Sequence, residues 1–105
     1  MAEQLKPFVS IHPGELLKDE IEARGISQKQ LAKLIGMPYT MLNEILNGKR
    51  NVSTETALLF EAALEINAEM LLGIQADYSL QTARKDSKLL KRFESIRKAC
   101  AAAVL

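Results

Sequence analysis

Apolar residues recur along this chain at steps of three and four, and no stretch alternates apolar with polar over a strand's length. The first helical segment follows His12-Pro13-Gly14-Glu15, where Pro13 and Glu15 suit an opening turn. Its stripe is Leu16, Leu17 and Ile21, and Arg24-Gly25 ends it. The second segment begins at Ser27, whose partner Gln30 completes a capping box, and it carries Leu31, Leu34 and Ile35 with small Ala32 between them. Gly36 permits a sharp reversal. Pro38 then fits the first turn of a third helix, where it has no N–H to waste. Leu42, Ile45 and Leu46 form the buried stripe of that helix, and Asn47-Gly48 is its stop. Ser53 caps a fourth helix reaching Leu64. Ala57, Leu58, Phe60, Ala62 and Leu64 are dense enough there for burial on more than one side. Its end is poorly marked, since Glu65 stands where a glycine is expected. Asn67 caps a fifth helix, Ala68 to about Tyr78, with Met70, Leu71, Ile74 and Tyr78 inward.

The two ends of the chain differ from this middle. Residues 1–12 show no helical period, and Phe8, Val9 and Ile11 suit an extended arm packed on the body or on a second copy. From Leu89 the apolar positions Leu89, Phe93, Ile96, Cys100 and Ala103 follow a heptad-like seam, surrounded by Lys88, Lys91, Arg92, Arg97 and Lys98. So short a seam cannot make an independent coiled coil. It fits a helix packed on the body or a dimer contact. The polar residues 81–87 read as a hinge or as a frayed continuation of the fifth helix. The chain thus divides into an arm (1–12), an all-α five-helix domain (13–80) and a basic helical tail (81–105).

Within that domain, Ser27 to Arg50 has the layout of a helix-turn-helix DNA reader: two short helices across a tight turn. Neither can fold alone, so the other helices must cover them. In this layout the second helix enters the major groove and its N-terminal residues meet the base edges. The outward positions there are Pro38, Tyr39, Thr40, Asn43 and Glu44. Thr40 offers a hydroxyl and a methyl, and Asn43 has the paired donor and acceptor that read adenine. Tyr39 suits sugar stacking or donation to a phosphate. Glu44 is awkward beside DNA unless it accepts from a cytosine amino group or orients a neighbour. Gln28, at the start of the first motif helix, suits a phosphate, and Lys29, Lys33, Lys49 and Arg50 add electrostatic contacts.

Charge supports this placement locally rather than globally. The 105 residues carry a formal net charge of only +1. Residues 1–83 hold 7 Lys/Arg against 11 Asp/Glu, whereas residues 84–105 hold 7 against 2. The motif itself is positive, with Lys29, Lys33, Lys49 and Arg50 against Glu44. Phosphate attraction acts within about a Debye length of ~10 Å, so a local surplus suffices. Composition also excludes chemistry. One cysteine, Cys100, and one histidine, His12, allow neither an intrachain disulfide nor a zinc cluster, so no metal or cofactor is expected. His12 has no nucleophile or carboxylate pattern beside it and reads as a helix-start residue; Cys100 reads as a packing residue; an enzyme is not expected. No apolar run approaches the ~20 residues of a membrane span, and MAEQLKPF lacks the order of a secretory signal, so a cytoplasmic protein is expected.

The combination of HPGE at His12–Glu15, SQKQLAKLIG at Ser27–Gly36, MPYTMLNEILNGKR at Met37–Arg50 and STETALLFEAAL at Ser53–Leu64 resembles the HigA/VapI-type antitoxins of the Xre/Cro helix-turn-helix group. The resemblance covers about residues 8–83 and implies a lambda-repressor-like fold. It further implies a homodimeric repressor that binds double-stranded operator DNA of its own operon and neutralises a HigB/RelE-like toxin. The chain departs from the family at four positions. Leu71 stands for a usual tryptophan, Glu65 for glycine, Asn67 for proline, and Tyr39 for a frequent arginine. Two other readings compete: a protein-interaction helical module that has lost operator recognition, and a solitary regulator without a toxin. A single small motif reads only a few base pairs, so a two-fold dimer spanning two half-sites is expected, with helix five and the tail as its contacts.

Overall fold

The computed structural model describes residues 10–104, except for the side chain of Val104, so Phe8 and Val9 of the expected arm lie outside the described residues. The described residues form six helices: α1 (Pro13–Ala23), α2 (Gln28–Ile35), α3 (Tyr39–Leu46), α4 (Thr54–Leu64), α5 (Ala68–Arg84) and α6 (Ser87–Val104). They are the five expected helices and the helical tail. Residues 81–84 continue α5, and the break falls at Lys85 and Asp86, where Asp86 Oδ1 accepts from the Lys88 backbone N–H at 2.9 Å. No described helix is long and apolar enough to cross a membrane.

Side-chain caps set the helix starts. The Ser27 hydroxyl accepts from Gln30 N at 3.1 Å while Gln30 Oε1 accepts from Ser27 N at 2.8 Å, a complete capping box. Ser53 and Asn67 likewise accept from the backbone N–H of Thr56 and Met70. Pro38 is displaced by one position from its expected place. With φ −58° and ψ 138° it precedes the first helical residue, Tyr39, and caps α3 without a side-chain bond. Gly36 ends α2 in the left-handed region at φ 69°, and Met37 N then reaches back to Ala32 O at 2.9 Å. That bond closes the tight turn on which the α2–α3 angle rests.

One core joins the helices. Leu17 and Ile21 of α1, Leu31 and Ala32 of α2, and Leu42, Ile45 and Leu46 of α3 meet Ala57, Phe60 and Leu64 of α4 and Leu71 of α5. Three expected inward positions face out instead: Leu34 is 74% exposed, Leu58 52% and Met70 45%. Each lies one helical step of about 100° from the buried line of its helix. In α2 the line is Leu31, Ala32 and Ile35; in α4 Leu59 turns inward rather than Leu58. In α5 the line runs through Ala68, Leu71 and Gln75. Ile11 and Cys100 are also exposed, so neither packs against the chain's own body.

Two polar residues stitch the core. Gln75 is buried, its Oε1 accepting from Val52 N at 2.8 Å and its Nε2 donating to Asn51 Oδ1 and Ser79 Oγ. It thereby ties the segment after α3 to α5. Arg24, ion-paired with Glu20, donates to the Leu64 carbonyl at 2.7 Å and satisfies the end of α4. The next residue, Glu65, has φ 58°, the single non-glycine with positive φ among the described residues. An L-residue in this region costs about 1–2 kcal/mol, part of which a glycine returns as chain entropy. Glu65→Gly should therefore raise the unfolding free energy by roughly 0.5–1 kcal/mol. Thermal unfolding followed by circular dichroism would register this as a melting point a few degrees higher.

Candidate nucleic-acid interface

The geometry of the motif begins behind it, where α1 crosses α3. A Cβ on Gly14 would overlap the Ile45 carbonyl oxygen and would meet His12 Nδ1 at 3.0 Å. Only glycine allows α1 to lie this close to α3. His12 caps α1 with its own ring, Nδ1 accepting from Gly14 N at 2.9 Å. An accepting Nδ1 assigns the proton of the neutral ring to Nε2. That nitrogen is buried and makes no hydrogen bond, and the ring stands edge-on to Tyr78 with centroids 5.1 Å apart. Gly48, just past α3, would bring a Cβ within 3.7 Å of the His12 Cβ. The histidine thus sits in the angle between the start of α1, the end of α3 and α5.

On the outer side, Pro38, Tyr39 and Thr40 are exposed at the N-terminus of α3, with Tyr39 at 46%. Asn43 and Glu44 are half-buried one turn further, and both are already engaged within the chain. Asn43 Nδ2 donates to Gln28 Oε1 at 2.9 Å, joining the start of α2 to the middle of α3. Each amide keeps a free half: a second N–H and Oδ1 on Asn43, and both N–H groups on Gln28. Asn43 can therefore still present the donor–acceptor pair that matches adenine, and Gln28 can still donate to a phosphate. The pair also holds both side chains in place before any ligand arrives.

Glu44 is already paired within the chain. Its Oε1 accepts from Arg50 Nε at 2.9 Å and lies 2.8 Å from Arg50 Nη2. Of the alternatives open to it, this is the one in which it orients a neighbour. The guanidinium is held over the end of α3 by an exposed ion pair. Lys29, Lys33 and Lys49 are exposed. The positive charge expected of the motif thus resides in three lysines, with Arg50 clamped. Among the ten candidate residues the structure brings Gln28, Asn43, Tyr39 and Thr40 onto one face and pairs Glu44 with Arg50. Sequence reasoning missed the Gln28–Asn43 bond, which links residues 15 apart, and the role of Gly14. A glycine in the first turn of a helix, where it is less stable than alanine, was a signal of close approach.

Comparison with known proteins fits this arrangement. Residues 17–71 match the helix-turn-helix family. Virulence-associated protein I of Dichelobacter nodosus is 32% identical over 80 residues, 75% of this chain and 74% of that protein. Among solved structures, an addiction module antidote protein of the HigA family from Coxiella burnetii is 32% identical, with a TM-score of 0.70 over 81% of this chain and 95% of that one. A HigA antitoxin of Pseudomonas aeruginosa, solved with the higBA promoter, is 29% identical, with a TM-score of 0.71 over 80% of this chain and 94% of that one. The fold and site define a helix-turn-helix protein of the Xre type. Within that class the chain belongs to the HigA/VapI-type family.

Burial holds the His12 pKa below the usual imidazole value, against opposing contributions from the Arg50 backbone and the Glu15 charge. The folded chain therefore resists a proton that the unfolded chain accepts near pH 6.5. Stability should fall as the pH drops through about 6.5 and level off below the folded pKa. His12→Asn keeps a capping acceptor and removes this titration. Urea unfolding between pH 7.5 and 5.5 should show a smaller loss for the variant than for the wild type; equal losses would assign the pH effect to other groups.

Proposed function

We propose that this protein is a sequence-specific transcriptional repressor that binds the operator of its own operon and serves as the antitoxin of a toxin–antitoxin pair. The observation that carries this reading is the pre-set α3 surface: Tyr39 and Thr40 exposed at the helix start, with Asn43 held by Gln28 beside them. Base readout rests on Pro38, Tyr39, Thr40 and Asn43, and Gln28, Lys29, Lys33 and Lys49 meet the phosphates. Glu44 acts by holding Arg50, which joins the phosphate contacts when DNA is present. The relatives support the assignment, since one of them was solved with its promoter and another is named an antidote protein. The toxin is of the HigB/RelE type, the protein works in the cytoplasm, and a homodimer covers two half-sites. The interaction-module reading is less favoured, because such a module has no use for a pre-ordered amide pair on an exposed face.

A gel-shift titration with the upstream region of its own gene tests the proposal. The wild-type chain should bind that fragment with clear preference over unrelated DNA. Thr40→Ala combined with Asn43→Ala should weaken binding by about 2–6 kcal/mol per half-site, given ~1–3 kcal/mol for each good base contact, and should erase the preference. Absence of any preference in the wild type at low salt would refute the repressor role.

Arg50 supplies a second test. Glu44→Gln releases the guanidinium and adds one net positive charge beside the phosphates. Affinity for non-specific DNA should rise, and the slope of log K against log[salt] should steepen by about 0.9 per subunit if the freed arginine gains a phosphate. An unchanged slope would mean that Arg50 already reaches the phosphate in the wild type, or never does.

A further inference from the structure

Seven basic residues lie between Arg84 and Lys98, against Asp86 and Glu94. All seven are exposed, and among the described residues none of them forms an ion pair, in contrast to Arg24 and Arg50 of the body. Asp86 is occupied in starting α6, where it accepts from the backbone N–H of Lys88 and Leu89. The basic residues are not spread evenly around that helix. At about 100° per residue, Lys88, Lys91 and Lys98 fall within about 80° of one another on the side opposite Phe93, and Arg92 stands next to Lys88. Ser95, Ala99 and Ala102 fill the gaps between them, and Glu94 lies at the edge. The outer face of α6 thus holds four cations, no carboxylate and no large apolar side chain.

The fold brings α6 out from beside the end of the motif. Gln75 of α5 is bonded to Val52 N and Asn51 Oδ1, and Tyr78 meets His12 edge-on. Tyr78, Asn47 and Gly48 line one notch. The second half of α5 therefore lies beside the segment that carries Lys49 and Arg50. From Tyr78 the helix runs about 9 Å further to Arg84, and α6 starts after two residues. It packs on the end of α5 and carries the chain outward by its own length of about 27 Å. The molecule reaches 59 Å in its longest direction, more than the ~34 Å of one turn of duplex DNA.

The composition of the face selects its occupant. A protein interface centres on aromatic and apolar side chains, and this face has neither. A helix lying on a membrane buries its apolar side, but on α6 half-buried Leu89 and Phe93 are turned to the end of α5. A row of unpaired cations suits a regular polyanion instead. Lys88 to Lys98 span about 15 Å of helix axis, a length over which duplex DNA presents about nine phosphates. Lysine, arginine and serine are the side chains that hold phosphate oxygens, and small Ala99 and Ala102 let a backbone come close. We propose that the outer face of α6 is a second DNA contact, which grips the duplex backbone without regard to sequence while α3 reads the bases. The inference rests on DNA as the partner proposed above and adds a surface that lies outside the helix-turn-helix motif.

Fluorescence anisotropy of labelled duplexes, titrated with the full chain at several salt concentrations, tests it. Lys88→Gln, Lys91→Gln, Arg92→Gln and Lys98→Gln change exposed side chains only, so the combined variant should retain the helical circular dichroism of the wild type. On a duplex of unrelated sequence its slope of log K against log[salt] should be shallower by about 0.9 for each cation that held a phosphate, and its affinity at low salt should fall by about tenfold or more. Lys91→Gln with Lys98→Gln alone should give about half of that change in slope, which keeps the test open if the fourfold variant does not fold. The ratio of operator to unrelated-duplex affinity should stay near the wild-type value, because backbone contacts carry no sequence information. Thr40→Ala with Asn43→Ala should do the reverse, collapsing the ratio and leaving the slope. Exchanging the four cations for one another, lysine for arginine and arginine for lysine, should keep the wild-type slope and so separate charge from a structural role. An unchanged slope in the folded glutamine variants would overturn the proposal. So would wild-type binding to phosphatidylglycerol vesicles or to polyglutamate that the glutamine variant loses while its DNA slope stays the same; the face would then belong to a membrane or to an acidic protein. A wild type that shows no operator preference but still loses slope on the glutamine changes would sink the repressor role alone.

Discussion

The close crossing of α1 over α3 at Gly14 is the constraint on which the exposed face of the motif depends. The Ile45 carbonyl occupies the space where a side chain of residue 14 would stand, so the depth of α3 in the fold is set by an absence. His12 completes the joint. Its ring caps α1 from within, fills the angle against Gly48 and meets Tyr78 of α5. An ordinary serine or aspartate cap would satisfy Gly14 N as well but would leave that angle empty. The cost is a buried Nε2 that makes no hydrogen bond, and burial of the ring disfavours its charged form. Three helices thereby meet at one point, and the exposed face on the far side of α3 is positioned by that joint.

The same logic operates with polar groups on the outer side. Asn43 could have pointed freely into solvent, as a half-buried amide on a helix often does. The bond to Gln28 removes that freedom before binding, so less side-chain entropy is lost on meeting a ligand. The Glu44–Arg50 pair does this for the arginine, at the expense of its charge. An exposed pair of this kind contributes little to stability, so its use is in orientation. The surface combines fixed hydrogen-bonding groups with three mobile lysines at its margin. That division suits specificity at the centre and non-specific attraction around it.

How much of this was legible in the sequence follows from the range of each interaction. Helix starts were readable because Ser27, Ser53 and Asn67 act on N–H groups two or three residues away. The stop at Glu65 was visible as a missing glycine and proved to be a left-handed residue. The inward positions were readable in α3, where Leu42, Ile45 and Leu46 admit one stripe, but not in α2, α4 and α5. There leucines and methionines occupy more rows than the core can accept, and the neighbouring helices decide which row is covered. Leu34 and Met70 fell on the wrong side for that reason, while polar Gln75 took a buried place because two loop residues and Ser79 satisfy it. The site divided in the same way. Residue types on the outer face of α3 followed from period alone, but the partners of Asn43 and Glu44 depend on the turn at Gly36 and the chain reversal at Gly48.

The tail shows a different kind of limit. Its heptad-like seam was plain in the sequence, yet a seam specifies that something must be covered and not what covers it. The folded chain narrows this by geometry: the end of α5 covers Leu89 and part of Phe93, and leaves the rest of the stripe open. What remains open is Leu90 and Ile96 on α6, flanked by basic residues, beside exposed Leu80 of α5.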